Sequence, residues 1–372
     1  MTQFGPKLFA FKPSRHGWDE AGPSLTLERL RNNQSAGVET NFVTDNNLMI
    51  TIDEACESER DASNATLEEL KLLEWVEFLR ECKRQGLQYA ITSFFAYAEM
   101  PAVRAQIRFG RLQQFSEKFG LGWHDEPTFE DISKLGRTDM TFDGLDKNQQ
   151  SIIALSFSSL LLMLLIKRDG ADFSSIGKFR RFLREYKRLI GIVSLREISI
   201  ARYVFAAQED CSGPLDRIRS RVERNFARNK KNKLPTDASD MCATALNGAF
   251  DLLLLNAVNI ADTKGLDGRK LDCWVITQDE KLQDFNDLCF SVDMNTGQAG
   301  LLTAVSTHSD DSEYWQKTQH ILHEFALEGS ERVLSSLIQS MLGFDDGAEI
   351  KRKIAQLPEI ARKVIAFAEA GL

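Results

Sequence analysis

Polar and apolar positions alternate along this chain with two different periods. Short continuous apolar runs predict buried strands, and apolar residues three and four apart predict amphipathic helices. Leu48-Met49-Ile50-Thr51-Ile52 is such a short run, rich in β-branched residues, and predicts a strand that ends on Asp53-Glu54. Residues 1 to 47, with scattered Pro, Gly and Asn, predict an irregular segment. Ser63 to Gly86 predicts a helix: Thr66 can cap it, Glu69 follows three residues later, and Leu70, Leu73, Val76, Phe78 and Leu79 are near-helically spaced. Gln88 to Thr92 is a second strand candidate. Ser93 then caps a helix that carries Phe94, Phe95, Tyr97, Ala98 and Glu99, with a kink or restart at Pro101.

Residues 103 to 232 read as mostly helical, with a possible strand at Leu189 to Val193. Pro235 to Asp240 opens a long helix from Met241 to about Ala261, and Asp237 is its expected N-cap. Cys273 to Thr277 predicts a buried strand ending on Gln278-Asp279. Glu280 to Leu288 predicts a short helix, Phe290 to Val292 one more strand, and the chain from Ser312 is helical. Strands alternating with helices imply a parallel α/β sheet, and ligands of such sheets gather at the carboxyl ends of strands. The core is expected in residues 48–102 and 236–300. A mainly helical insertion spans 103–235, and a helical extension spans 301–372.

Composition changes this picture in three places. The run Ile152 to Ile166 is fifteen residues long and contains Ser156, Ser158 and Ser159. It is short for a membrane span, so a buried core helix is expected. The six cysteines form no C-x-x-C pair, and no apolar export signal opens the chain, so reduced thiols and a cytoplasmic location are expected. The net charge of −8 is unfavourable for nucleic acid as an average. Local charge is another matter: Lys178 to Arg188 is basic, and Arg217, Arg221, Arg224, Arg228, Lys230, Lys231 and Lys233 crowd a second segment. These seven are the expected contacts to a phosphate backbone.

Four acids carry the candidate chemistry: Asp53, Glu99, Asp240 and Asp279. Phosphodiester hydrolysis needs charge stabilisation on a phosphoryl oxygen and an activated water, and hard divalent cations supply both. Mg²⁺ and Mn²⁺ take oxygen ligands and keep several waters, so a few carboxylates suffice. Asp251 follows Asp240 by eleven residues, about 16 Å along a helix, and cannot share its metal. His320 and His323 form an isolated pair without further ligands nearby in the sequence. The bland alternatives are a helix cap for Asp279, a first-turn acid for Asp240, a solvated acid for Glu99 and a turn for Asp53.

The segments MITIDEA, SFFAYAEM, SDMCATALNGA and WVITQDEKL, taken in this order, resemble the PIN domain, a metal-dependent nuclease family. The resemblance covers roughly residues 47 to 100 and 236 to 295. It departs from the family in the long stretches between Glu99 and Asp240 and between Asp240 and Asp279. It implies a PIN-like parallel sheet flanked by helices, with Asp53, Glu99, Asp240 and Asp279 as catalytic metal ligands for Mg²⁺ or Mn²⁺. It implies a nuclease acting on RNA, or on single-stranded or structured DNA, and a role such as bacterial toxin or phage-defence effector. The expected partner is nucleic acid, RNA before DNA, with no membrane. Self-association or a partner protein could use the helical extension. The rival expectations are a degenerate PIN-like binding module and a helical scaffold subunit.

Overall fold

The computed structural model describes residues 1–15, 23–57, 59–122, 139, 141–266, 268–292, 302–305, 312–325 and 347–371. The chain divides into two compact units. The first comprises Met1–Met140 with Leu254–Ala304, and the second comprises Thr141–Leu253 with Val305–Leu372.

The first unit is a mixed α/β layer. Its five-stranded sheet has the order β1 (Thr2–Phe4), β2 (Leu8–Phe11), β6 (Lys270–Thr277), β4 (Val38–Thr44) and β5 (Ala90–Thr92). Strands β5, β4 and β6 run parallel, and β1 and β2 form an antiparallel hairpin against β6. A separate short sheet joins β3 (Ser14–Arg15), β7 (Cys289–Val292) and β8 (Leu302–Val305). The sheet is therefore mixed and not parallel throughout as expected: it is parallel only across β5, β4 and β6, and the N-terminal hairpin adds two antiparallel strands.

Two expectations are corrected here. Residues 1 to 47 are not irregular: they hold β1 to β4 and helix α1 (Leu27–Ser35). Leu48 to Ile52 is not a strand. It lies within helix α2 (Asn46–Ala55), with Asp45 as N-cap accepting from the Leu48 N–H. Leu48, Met49, Ile52 and Ala55 are its buried residues, a helical spacing that a five-residue window hides. The strand lies one element earlier, in β4, where Glu39, Thr40 and Asn41 mask an otherwise apolar pattern. The sheet tolerates that polarity because partners meet it: Asn33 donates to Thr40 at 3.0 Å, and Thr92 donates to Asn41 at 2.8 Å.

The helix expected over Ser63 to Gly86 is two helices, α3 (Asn64–Glu69) and α4 (Leu73–Arg84). Lys71 takes a positive φ of 61° between them, and Ser63 rather than Thr66 is the N-cap of α3. Helix α5 (Phe94–Glu99) follows β5 directly, and α6 (Ala102–Arg108) restarts after Pro101. Helix α7 (Arg111–Phe119) follows. Trp75, Leu79, Phe115 and Phe119 help fill the core between these helices and the sheet.

The second unit is helical. Helix α8 (Lys147–Asp169) opens with a capping box between Asp146 and Gln149. It is long and apolar enough to cross a membrane, yet 78% of its apolar window is buried inside the protein, as a core helix requires. Its Ser156 hydroxyl donates to the buried Glu197 at 2.5 Å. Helices α9 (Ser175–Leu189), α10 (Leu195–Phe205) and α11 (Pro214–Phe226) follow. Leu189 ends α9, Gly191 takes a positive φ, and no strand forms at Leu189 to Val193. Helix α12 (Ala238–Lys264) begins in this unit and ends in the first. Gly248 lets it approach its neighbours: a Cβ there would meet Phe226 at 2.9 Å and Leu160 at 3.0 Å. Residues 313–325 are helical and form α14, after α13 (Glu280–Leu288) in the first unit. Helix α15 (Gly347–Ala370) packs on α8. The helical reading of residues 326–346 lies outside the described residues.

Candidate metal centre

Parallel pairing of β4 with β6 decides which acids meet. Thr44 is the partner of Ile276, so the next residues along, Asp45 and Thr277, leave the two strands side by side at their carboxyl ends. The Thr277 hydroxyl links the two acids that follow the strands. It donates to Asp45 Oδ2 at 2.5 Å and accepts the Asp279 N–H at 2.8 Å. The other oxygen of Asp45 accepts the Leu48 N–H at 2.8 Å. Asp279 caps α13, with Oδ1 accepting from Lys281 N at 2.8 Å and Leu282 N at 3.4 Å.

Asp45 is buried, and burial pushes its carboxyl up to about 6, with the Asp279 charge adding to the rise. Hydrogen bonds from Thr277, Leu48 and Asn47 oppose the shift without cancelling it. The ionised form of Asp45 is thus disfavoured, first by burial and then by the neighbouring acid. Lys281 reaches Asp279 at 3.7 Å from a side chain that is 41% exposed.

Asn46 extends the cluster toward α5, its Nδ2 donating to Glu99 Oε1 at 3.3 Å. The Asn46 Oδ1 is buried and lacks a hydrogen-bond donor among the described residues. A buried amide oxygen left over on the residue after Asp45 is of the type a hard cation takes, for which carbonyl and carboxylate oxygens are the natural ligands. Among the described residues, no three His, Cys, Asp or Glu side chains form a ready-made metal group. The arrangement is instead a carboxylate pair, a nearby Glu and an orphan amide oxygen. That fits Mg²⁺ or Mn²⁺, which bind through one or two carboxylates and retain water.

The expected acids divide as follows. Asp279 stands just past the carboxyl end of its strand, as the apolar run implies, and Glu99 lies at the end of the helix that follows β5. Asp53 does not stand at a strand end. It lies within α2, eight residues and about 12 Å along the helix from Asp45. Two guanidiniums hold it there, Arg108 at 3.0 Å and Arg111 at 2.9 Å. Asp240 belongs to the second unit. Its N–H donates to Asp237, the expected cap, at 2.8 Å, and its carboxylate accepts from Asn229 at 2.6 Å. Asp45 and Asn46 are the residues that sequence reasoning missed. An Asp followed by Asn-Asn and a helically spaced apolar set is an N-cap signal, and it points to both.

The basic segment also divides. Arg219 turns inward to Asp216 at 2.9 Å and Glu223 at 3.1 Å, and Arg228 reaches Glu223 at 3.5 Å. Arg221 is half-buried. Arg217, Arg224, Lys230, Lys231 and Lys233 are exposed and have no ion-pair partner among the described residues. The Asn229 side chain shapes the loop that presents the lysines, accepting from Lys231 N and Lys233 N, each at 3.0 Å. His320 and His323 are exposed, and His320 lies 3.3 Å from Glu324.

Compared with known proteins, the chain matches no family model, no curated protein and no solved structure.

Proposed function

We propose that this protein is a divalent-metal-dependent nuclease with a PIN-like core, in which Asp45 takes the role expected of Asp53. The observation that carries the reading is the pair Asp45–Asp279. Two acids follow the carboxyl ends of adjacent parallel strands and meet at the Thr277 hydroxyl, Asp45 through its carboxylate and Asp279 through its backbone N–H, and burial, with the Asp279 charge adding to it, raises the Asp45 carboxyl. A divalent cation would offset the two charges, with Asp45, Asp279 and the Asn46 amide oxygen as the residues to hold it and Glu99, hydrogen-bonded to Asn46, to orient its water. The cation would supply Lewis-acid stabilisation and an activated water. The exposed cations Arg217, Arg224, Lys230, Lys231 and Lys233 would hold a phosphate backbone, RNA before DNA. Neutralising any one of them would flatten the salt dependence of single-strand binding by about 0.7. Asp240, with its carboxylate engaged by Asn229, acts in this reading by ordering the lysine loop.

One observation favours a second reading. Asp45 and Asp279 both cap helices through their carboxylates, a structural task complete without metal. A degenerate module that binds nucleic acid without cutting it would keep both. The decisive experiment incubates labelled single-stranded RNA and DNA with the protein and Mn²⁺, with and without chelator, beside Asp45→Asn and Asp279→Asn. Chelator-sensitive cleavage that both substitutions abolish supports the nuclease. Cleavage that survives both substitutions removes the metal site, and binding without cleavage leaves the degenerate module.

A further inference from the structure

Helix α9 sorts its residues sharply by chemistry. Phe179, Phe182, Leu183 and Tyr186 are buried, whereas Arg180, Arg184 and Lys187 are exposed. These three recur at i, i+4 and i+7, so they share a face about 10 Å long. Glu185 engages Arg184 at 3.3 Å and Arg188 at 2.6 Å. Arg180 has no ion-pair partner among the described residues.

At the amino end of this helix stands a half-exposed aromatic ring, seated beside Gly170 and Gly177. Phe173 is 47% exposed and immediately precedes Ser174, the N-cap, whose hydroxyl accepts from Gly177 N at 3.2 Å. An apolar residue before an N-cap usually packs on the fourth helical residue as a staple. Here the fourth residue is Lys178, so the ring has no apolar partner at that position. It instead faces the Arg181 guanidinium, 5.4 Å from the ring centroid. The same unit brings this end of α9 into the electrostatic range of α11: the ammonium of Lys167 is repelled by both Lys178 and Arg219.

We propose that Phe173 and the basic face of α9 form a binding surface for single-stranded nucleic acid. The ring offers a stacking surface for one unpaired base, with Arg181 behind it, and Arg180, Arg184 and Lys187 follow the adjoining phosphates. Exposed aromatics set among cations bind single strands because every base presents a π-face, which a duplex keeps within its own stack. The inference rests on nucleic acid being this protein's ligand, but not on its being cut.

The test uses the full-length protein with chelator present, so that cleavage is silent. Fluorescence anisotropy reads the affinity for a labelled mixed-sequence single strand and for its duplex. Phe173→Ala is expected to weaken single-strand binding about tenfold and to leave the duplex unchanged. Phe173→Trp should retain the wild-type affinity. Arg180→Gln should lower the salt slope for the single strand by about 0.7. Circular dichroism establishes that each variant folds. Affinity indifferent to Phe173, or an equal weakening for single strand and duplex, overturns the inference, as does preferential binding to phosphatidylserine vesicles. A failure of the nuclease reading looks different: the strand stays uncut with Mn²⁺ yet its binding still depends on Phe173.

Discussion

Two buried acids lie toward opposite ends of the β4–β6 strand pair, Asp272 on β6 and Asp45 just past β4, and they are treated in opposite ways. Asp272, near the amino end of β6, is surrounded by donors. Arg29 grips it with Nε at 2.9 Å and Nη2 at 2.7 Å, Lys12 reaches it at 2.6 Å, and Asn33 and Trp274 each donate at 2.8 Å. Burial alone would raise its carboxyl, but Arg29 and Lys12 hold it well below the usual carboxylate range. Asp45, opposite the other end, has hydroxyl and amide donors, an acid for a neighbour, and a carboxyl pushed up to about 6. Asp272 is met by a buried ammonium and a half-buried guanidinium. The pair at the carboxyl end has only the exposed Lys281 at 3.7 Å from Asp279, and a pair so lightly compensated is where an external cation has something to do.

The strongest way to break this contrast is to remove the pair. Asp279→Asn should lower Mn²⁺-dependent cleavage by roughly a thousandfold, since a Lewis acid contributes several kcal/mol of transition-state stabilisation. Single-turnover cleavage of labelled RNA measures it, and activity within about tenfold of wild type would refute the assignment.

The other end should respond in stability instead. Lys12→Met would leave Asp262 and Asp272 buried without their shared ammonium, which lies 2.6 Å from each. Breaking such a network costs about 3 to 5 kcal/mol. Urea denaturation should show that destabilisation, while Mn²⁺ affinity per folded molecule, read by calorimetry, stays unchanged.

Titration sharpens the comparison further. A carboxyl whose folded pKa is raised binds its proton more tightly when folded, so its contribution to stability falls as pH rises from about 4 through about 6. Asp272 has the opposite sign: its contribution is present above the unfolded value and is lost as pH falls below it. Between about pH 4 and 6 the Asp45 slope should therefore stand out, worth about 3 kcal/mol over the interval. Asp45→Asn should flatten it, and so should saturating Mn²⁺. A slope unaffected by the substitution would place the titration elsewhere.

The smallest effect is expected at Asp53. Its partly exposed pair of arginines should make Asp53→Asn cost about 1 kcal/mol and leave cleavage intact. Abolished cleavage with retained stability would restore Asp53 to the site.

Residues 48 to 53 show why only part of the site is legible in the sequence. A five-residue run of Leu, Met, Ile and Thr has the same apolar content whether it lies in a strand or on one face of a helix. The cap at Asp45 distinguishes the two, because a strand needs no capping acid. The Cys273–Thr277 run was legible because six consecutive buried positions, Asp272 to Thr277, leave little polar interruption. Strand β4 was not, because its Thr40 and Asn41 find their partners only on α1 and β5.

By itself, the sequence determined the elements with strong local signals. The buried helix around Ile152 to Ile166, the Asp237 cap, the helix Glu280–Leu288 and the strand before Asp279 all follow from apolar period, cap residues and run length. Those signals act over a few residues, so a few residues suffice to read them. Which acids share a site was decided only in the tertiary structure. It depends on strand order and register: Asp45 meets Asp279 because β4 pairs with β6 in a parallel register that sets Thr44 against Ile276. Those two residues are more than two hundred positions apart in sequence, and no local pattern encodes their pairing.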